Sequence, residues 1–364
     1  MAKKKEAGEF IDSGLSAEQR VQKKQIMSKP VESVKIKKDS TIADLVEAMG
    51  SMSIQARNIG TCAQVLKRML GDKKRPTVFL GLAGPLIAAG LRDVIKELIV
   101  QGVVDVVVST GAVLYQDIYQ ARGFKHYKGT PEGDDTVLHD LRIDRIYDTY
   151  VDEEKFWETD QWCGHVADEL EPGTYSSRQY MDFLGSKLED PNSIVYQCHK
   201  LGVPIFVPAL NDSSIGIGLT AHHIRALQAG KEPVKINSIQ DNHELAQLVV
   251  KSNATSAIYV AGGVPKNYIN DAVVMSYLYG VERGHDYAIQ VTTAVTADGG
   301  LSSSTLGEAQ SWGKIESDAA FAMAWVEPSV ALPLLAGYVF QRELAKGRKR
   351  LKMDWNGEIL NSIG

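Results

Sequence analysis

Apolar residues recur along the chain in short runs separated by amphipathic stretches. Residues 77–81 (TVFLG) form one such run directly after Pro76. Over residues 85–100, Leu86, Ile87, Leu91, Ile95, Leu98 and Ile99 fall at helical spacing, which predicts a helix across that span. Gly102 ends it, and residues 103–108 (VVDVVV) are β-branched and mostly apolar, as in a strand buried on both faces. Residues 204–207, 257–260 and 287–291 repeat the pattern, each followed by Gly, Asp or Thr before a helical stretch. Strands alternating with helices of roughly 10 to 15 residues imply βαβ units. The expected fold class is therefore α/β, a Rossmann-like parallel sheet flanked by helices. Right-handed crossovers would align the strand C-termini, and with them a ligand site, along one edge.

Two segments depart from this rhythm. Residues 1 to about 30 are polar and Lys-rich and close at Pro30, the composition of a mobile arm or a docking helix. This divides the chain into an arm, 1–40, and a single domain, 41–364. Residues 123–190 are irregular and aromatic, including Tyr147, Trp157 and Trp162, and read as an insertion packing on the sheet or on a neighbouring subunit. Forty basic against forty-five acidic side chains leave a net charge of −5, without the basic stripe of a nucleic-acid binder. That balance is compatible with a cationic substrate. Cys62, Cys163 and Cys198 are odd in number and far apart, so they read as buried free thiols in a reducing cytosol, with no metal site. The basic start lacks a secretory apolar region, and no run approaches the ~18 to 20 apolar residues of a membrane span. A cytoplasmic protein is expected.

Four turns after predicted strands carry small and hydroxyl residues. They contain Thr110 and Gly111, Asp212, Gly262 and Gly263, and Thr293 and Ala294. Such turns let backbone N–H groups approach phosphates, and they are also the ordinary chemistry of βα turns. No GxGxxG fingerprint is present, but four together favour a shared nucleotide site. Further on, a Gly/Ser loop from Asp298 runs through Ser302 and Glu308 to Trp312 and Lys314. An indole, a carboxylate and a lysine this close in sequence can form a pocket for an ammonium substrate. A lysine desolvated among cations loses its proton more readily and becomes a nucleophile toward imines. Composition alone does not single out Lys314, because an exposed lysine near a tryptophan is commonplace.

Residues 308–315 (EAQSWGKI) closely resemble the active-lysine motif of deoxyhypusine synthases. The similarity extends through residues 79–81 (FLG), 208–212 (PALND), 262–264 (GGV), 286–289 (DYAI) and 292–294 (TTA), from about residue 70 to 345. The resemblance implies a deoxyhypusine synthase-like fold and NAD-dependent aminoalkyl transfer. In that chemistry NAD takes hydride from a carbon beside an amine of spermidine. The lysine then captures the aminobutyl group as an imine and expels diaminopropane. A second amine displaces the lysine, and the hydride returns. By motif, Lys314 matches the catalytic lysine, and Trp312 and Glu308 match residues that hold the amine. Thr110, Asp212, Gly262, Gly263, Thr293, Ala294, Asp298 and Ser302 match the NAD contacts, with Gly111 beside Thr110. The resemblance also implies a homotetramer with sites between paired subunits.

This chain departs from the family's pattern at several of these positions. Asn267 stands where the family has its general-base histidine, and Asp271 where it has an asparagine; both remain substrate-side candidates. Ile217 and Leu301 replace two acidic residues that grip the substrate's ammonium groups, and Glu327 replaces an aspartate late in the NAD site. His285 is a candidate substitute base, although its place before an apolar run also fits a surface histidine. Losing two charged hydrogen bonds, at ~1.5 to 3 kcal/mol each, implies an altered polyamine, spermidine or putrescine, or an altered pose. Three functions follow: an aminobutyl transferase with a small-amine acceptor, as in homospermidine synthesis; a true deoxyhypusine synthase modifying a lysine of a translation initiation factor; and an inactive NAD-binding scaffold.

Overall fold

The computed structural model describes residues 14–297 and 304–364. Six strands form its central sheet: β1 (Thr77–Leu82), β2 (Val106–Ser109), β3 (Ile205–Phe206), β4 (Thr255–Val260), β5 (His285–Val291) and β6 (Ile315–Ala324). Every neighbouring pair is parallel, in the order β6-β5-β4-β1-β2-β3. The chain starts at the centre, winds outward to β3, returns to place β4 on the other side of β1, and winds outward again. The winding direction therefore reverses between β1 and β4, where the loops leaving the two strands diverge and open a crevice.

Both faces of the sheet are dry. Phe79, Val106, Val108, Phe206, Tyr259 and Ala288 enter one apolar cluster, and Val78, Leu80, Val107, Ile258, Val260 and Ile289 the other. Adjacent strand residues point to opposite faces, so double-sided burial demands the continuous apolar runs seen in the sequence. Leu66, Leu98, Leu332 and Leu335 from helices Ile54–Gly71, Arg92–Val100 and Pro328–Gln341 cover one face. Leu245, Ile269 and Val273 from helices Ser238–Lys251 and Gly263–Met275 cover the other.

The helix expected over residues 85–100 is present only as Arg92–Val100. Residues 86–90 are turn instead, and Gly90, at φ +83°, reverses the chain there; Leu86, Ile87 and Leu91 are nonetheless buried. Strand β6 follows Lys314 directly; its second half is apolar (AAFAMA, residues 319–324), but its first half, IESD, is not, and the predicted strands do not include it. The irregular middle folds in part as an antiparallel sheet of Tyr127–Lys128, Ile143–Ile146 and Thr149–Asp152. The polar N-terminal segment holds a helix, Ala17–Ile26, capped by Ser16 and Gln19, with no buried residue. All three cysteines are buried and unpaired. Among the described residues no helix is long and apolar enough to cross a membrane.

Helix Glu153–Asp168 of the insertion lies against helix Ser214–Gln228, and the two backbones touch where glycines meet. A Cβ on Gly218 would stand 2.2 Å from the Asp160 carbonyl, and one on Gly164 2.3 Å from the Gly218 carbonyl. Gly218→Ala should therefore lower the unfolding free energy by about 2 kcal/mol or more in urea titration, as overpacking of a rigid contact does. An unchanged midpoint would show that the two helices can separate at little cost.

Candidate active site

The helix Gly263–Met275 leaves β4 and carries Lys266, Asn267 and Asp271. Asn267 and Asp271 are one turn apart and share a face. The Asn267 amide donates to Asp271 Oδ2 at 3.0 Å, and Lys314 Nζ lies 3.1 Å from Asp271 Oδ1. Both carboxylate oxygens are thus engaged, and Lys314 is 8% exposed. Lys314 is placed by the short helix Leu306–Ser311 before it and β6 after it. Gly313, at φ +67°, turns the chain back so that Lys314 N–H donates to the Ala309 carbonyl, while the Lys314 carbonyl accepts from His285 N–H. Its backbone therefore begins β6 at the edge opposite the βα turns. The candidate site is not confined to one edge, because the Lys314 side chain reaches the third turn of the Gly263–Met275 helix.

Lys266 was not singled out from the sequence, yet it completes the cluster. It is 1% exposed, its ammonium donates to the Ser304 carbonyl, and it feels the charges of Glu308 and Lys314. Burial pulls its pKa down to about 8; Glu308 opposes that shift and Lys314 adds to it. The crowding of cations expected around Lys314 is thus real, with Lys266 as the second cation. Only the GGV turn, residues 262–264, two residues before it, hinted at it.

Trp312 is 69% exposed, and its ring lies 5.7 Å from Lys314 Nζ, so the indole face beside the amine remains open. Glu308 is exposed and caps its own helix: the Thr305 backbone N–H and then its hydroxyl hold the carboxyl below its usual pKa. His285 corrects the surface reading. It is fully buried, Nδ1 meets Thr255 Oγ1 at 3.0 Å, the ring packs near Phe79, and burial pulls its pKa down to about 4. A core histidine sealed in this way is not positioned to act as the site's base. Ile217 is 58% exposed on helix Ser214–Gln228.

The nucleotide candidates on the C-terminal edge divide by geometry. Thr110 and Gly262 stand at the N-caps of helices Gly111–Ala121 and Gly263–Met275, and neither helix has a side-chain cap. These helices follow β2 and β4, beside the crevice where the winding reverses. Ala261 and Gly263 adopt positive φ, and Gly84 after β1 does so with open space where a side chain would stand. Buried Gln290 bonds the Ala261 carbonyl through Nε2, and its Oε1 has no partner among the described residues. Bare turns, uncapped helix ends and an unpartnered amide oxygen fit a dinucleotide's phosphates and polar edges. Gly111 has a packing role as well, since a Cβ there would meet Ser213 Oγ at 2.3 Å. Asp212 and Thr293 are exposed, and Ala294 N–H donates to Thr292 Oγ1. Glu327 caps helix Pro328–Gln341 and lines a cleft of about 680 Å³ with Pro85, His126 and Tyr147. Asp298, Leu301 and Ser302 lie outside the described residues.

A lysine whose folded pKa is depressed opposes folding most where it must be charged. Below about pH 8 Lys266 is protonated in both states and burial of its charge disfavours the fold. Between 8 and 10.5 the unfolded chain holds a proton that the folded one has released, so stability rises with pH. The unfolding free energy of the native protein minus that of Lys266→Met should increase by about 2 kcal/mol from pH 7 to 10 in urea titrations. A flat difference would mean that Lys266 is effectively solvated.

The deoxyhypusine synthase family model matches residues 44–339. A deoxyhypusine synthase-like protein of Chlorobaculum tepidum is 41% identical over 338 residues, covering 91% of this chain and 95% of the relative. "Probable deoxyhypusine synthase 2" of Methanosarcina mazei is 38% identical over 325 residues, covering 88% and 92%. Among solved structures, one from Entamoeba histolytica provisionally named a deoxyhypusine synthase aligns with a TM-score of 0.58 at 18% identity, covering 90% of this chain and 100% of that one, which supports the fold. With its parallel sheet, its lysine-bearing turn and relatives matched nearly end to end, this chain belongs to the deoxyhypusine synthase family.

Proposed function

We propose that the protein is an NAD-dependent transferase that moves an aminobutyl group from a polyamine, spermidine or putrescine, to a small amine through an imine on Lys314. The observation that carries this reading is the buried Lys314 amine, 3.1 Å from Asp271 and beside an open indole face. NAD, held by Thr110, Gly111, Asp212, Gly262, Gly263, Thr293, Ala294 and Glu327, with Asp298 and Ser302 as further contacts, would take up the hydride and later return it.

The chain's own residues account for the transfer. Asp271 is the carboxylate within direct reach of Lys314 Nζ, so it accepts the lysine's proton and frees the lone pair; the Asn267 amide fixes its other oxygen. The neutral amine adds to the imine carbon of the oxidised polyamine. The bond to the departing amine breaks, that amine takes the proton, and the lysine keeps the four-carbon group as its own imine. Addition of the acceptor amine reverses these steps and restores Lys314. Lys266 is the second cation of the cluster, its own pKa lowered by burial and by the charge of Lys314. Trp312 and Glu308 line the approach for the cationic chain, Trp312 with its indole face.

The small-amine acceptor follows from the altered recognition. Ile217 is exposed where the family grips an ammonium, and Asn267 cannot serve as a base. A true deoxyhypusine synthase acting on a translation initiation factor would be expected to keep those groups. An inactive scaffold is disfavoured on energetic grounds, because two clustered buried lysines destabilise a fold that has no use for them. Trp312, at 69% exposed, is the natural place for the neighbouring subunit of a homotetramer to close the site.

Incubation with NAD and putrescine, alone or with spermidine as the aminobutyl donor, should yield a homospermidine-mass product without any protein acceptor. Lys314→Ala should yield none, and Asp271→Asn should lower the rate by about 10²-fold or more. Product appearing only with an initiation-factor lysine would reassign the acceptor, and native-rate transfer by Lys314→Ala would overturn the mechanism.

A further inference from the structure

Away from Lys314, a cavity of about 350 Å³ opens beyond the end of β3, between the 207–211 loop, helix Ser214–Gln228 and helix Ser238–Lys251. Asn211, Thr220 and His223 are exposed at its rim. Its walls are mainly aliphatic: Val207, Leu210, Leu219, Val234 and Ile236. The charged residue among its lining groups is Asp241, which is 0% exposed. Asp241 Oδ1 accepts the Ser177 backbone N–H at 2.8 Å, and Oδ2 has no hydrogen-bond partner among the described residues. Its neighbour Glu244 is already paired with Arg178 at 2.7 Å, so that guanidinium is committed elsewhere. A buried carboxylate oxygen with no donor is costly unless a ligand supplies one.

We infer that this cavity binds an alkylammonium ion, with the ammonium on Asp241 and the methylenes along the aliphatic walls. A carboxylate within an apolar pocket selects a group that combines a cationic donor with a hydrocarbon body, and it discriminates against a neutral alcohol of the same length. Burial raises the Asp241 pKa to about 7, and an arriving cation would favour its ionised form. The cavity is linked physically to the lysine cluster. Tyr268, next to Asn267, donates its hydroxyl to the carbonyl of Ser238, a lining residue, at 2.8 Å. Tyr268 is also within electrostatic reach of both Asp241 and Asp271. The binding claim stands on the cavity alone; its role as a second amine site near the reaction rests on the transfer proposed above.

Calorimetric titration of the full chain with n-butylamine, and separately with 1-butanol, tests the pocket. The native protein should bind the amine and not the alcohol. Asp241→Asn should weaken amine binding about tenfold or more, and Leu219→Trp, which fills the cavity while leaving the carboxylate, should do the same. Amine affinity within about twofold of native in both variants, or equal binding of the alcohol, overturns the inference. Intact n-butylamine binding in a protein that yields no transfer product would refute the aminobutyl reading and leave the pocket standing.

Discussion

The contact between the Lys314 ammonium and the Asp271 carboxylate is the constraint on which the site depends. A buried lysine is tolerable only if something compensates its charge, and here a single carboxylate does so while also lying within proton-transfer distance. The same oxygen pair accepts the Asn267 amide, so the side chain that stands at the family's histidine position supports the carboxylate proposed to act in its place. Lys266 and Trp312 sharpen the contrast: a second buried cation disfavours charge on the cluster, and an open indole face favours a cation arriving from outside.

The fold brings these groups together by reversing its winding direction between β1 and β4. That reversal opens the crevice flanked by the uncapped helices after β2 and β4, and the second of these helices carries Lys266, Asn267 and Asp271 on its first turns. One helix thus presents an N-terminus suited to phosphate and a side face suited to amine chemistry. β6 supplies the remaining piece by anchoring the Lys314 backbone against His285 at the opposite edge, so the lysine enters along the helix side.

How legible this was in the sequence depended on the kind of signal. Runs such as VVDVVV and AIYV pointed to strands buried on both faces and so to the parallel sheet, although in the first run only Val106–Val108 enter the strand, with Val103–Asp105 leading into it. Pro85 and Gly90 overrode the helical spacing of Leu86, Ile87 and Leu91, which are buried by a turn rather than by a helix. Lys314, Trp312 and Glu308 were recognisable through their motif and not through periodicity. Lys266 and the partnership of Asn267 with Asp271 were not recognisable as a cluster, because residues four or five apart reveal a shared task only once a helix face and a distant lysine meet. The histidine at 285 misled because a polar residue beginning an apolar run looks exposed, whereas pairing with β6 on one side and the Thr255 and Phe79 side chains enclose it. Asp241 carried no sequence signal either; its significance comes from burial without a second hydrogen bond.

The central claim is that Lys314 becomes covalently alkylated during turnover. The direct measurement is borohydride reduction of the full-length protein incubated with NAD and spermidine, followed by peptide mass mapping. A secondary amine carrying a 4-aminobutyl group on Lys314 is the predicted result. An unmodified Lys314, with the adduct on Lys266 or on no lysine at all while product still forms, would contradict it.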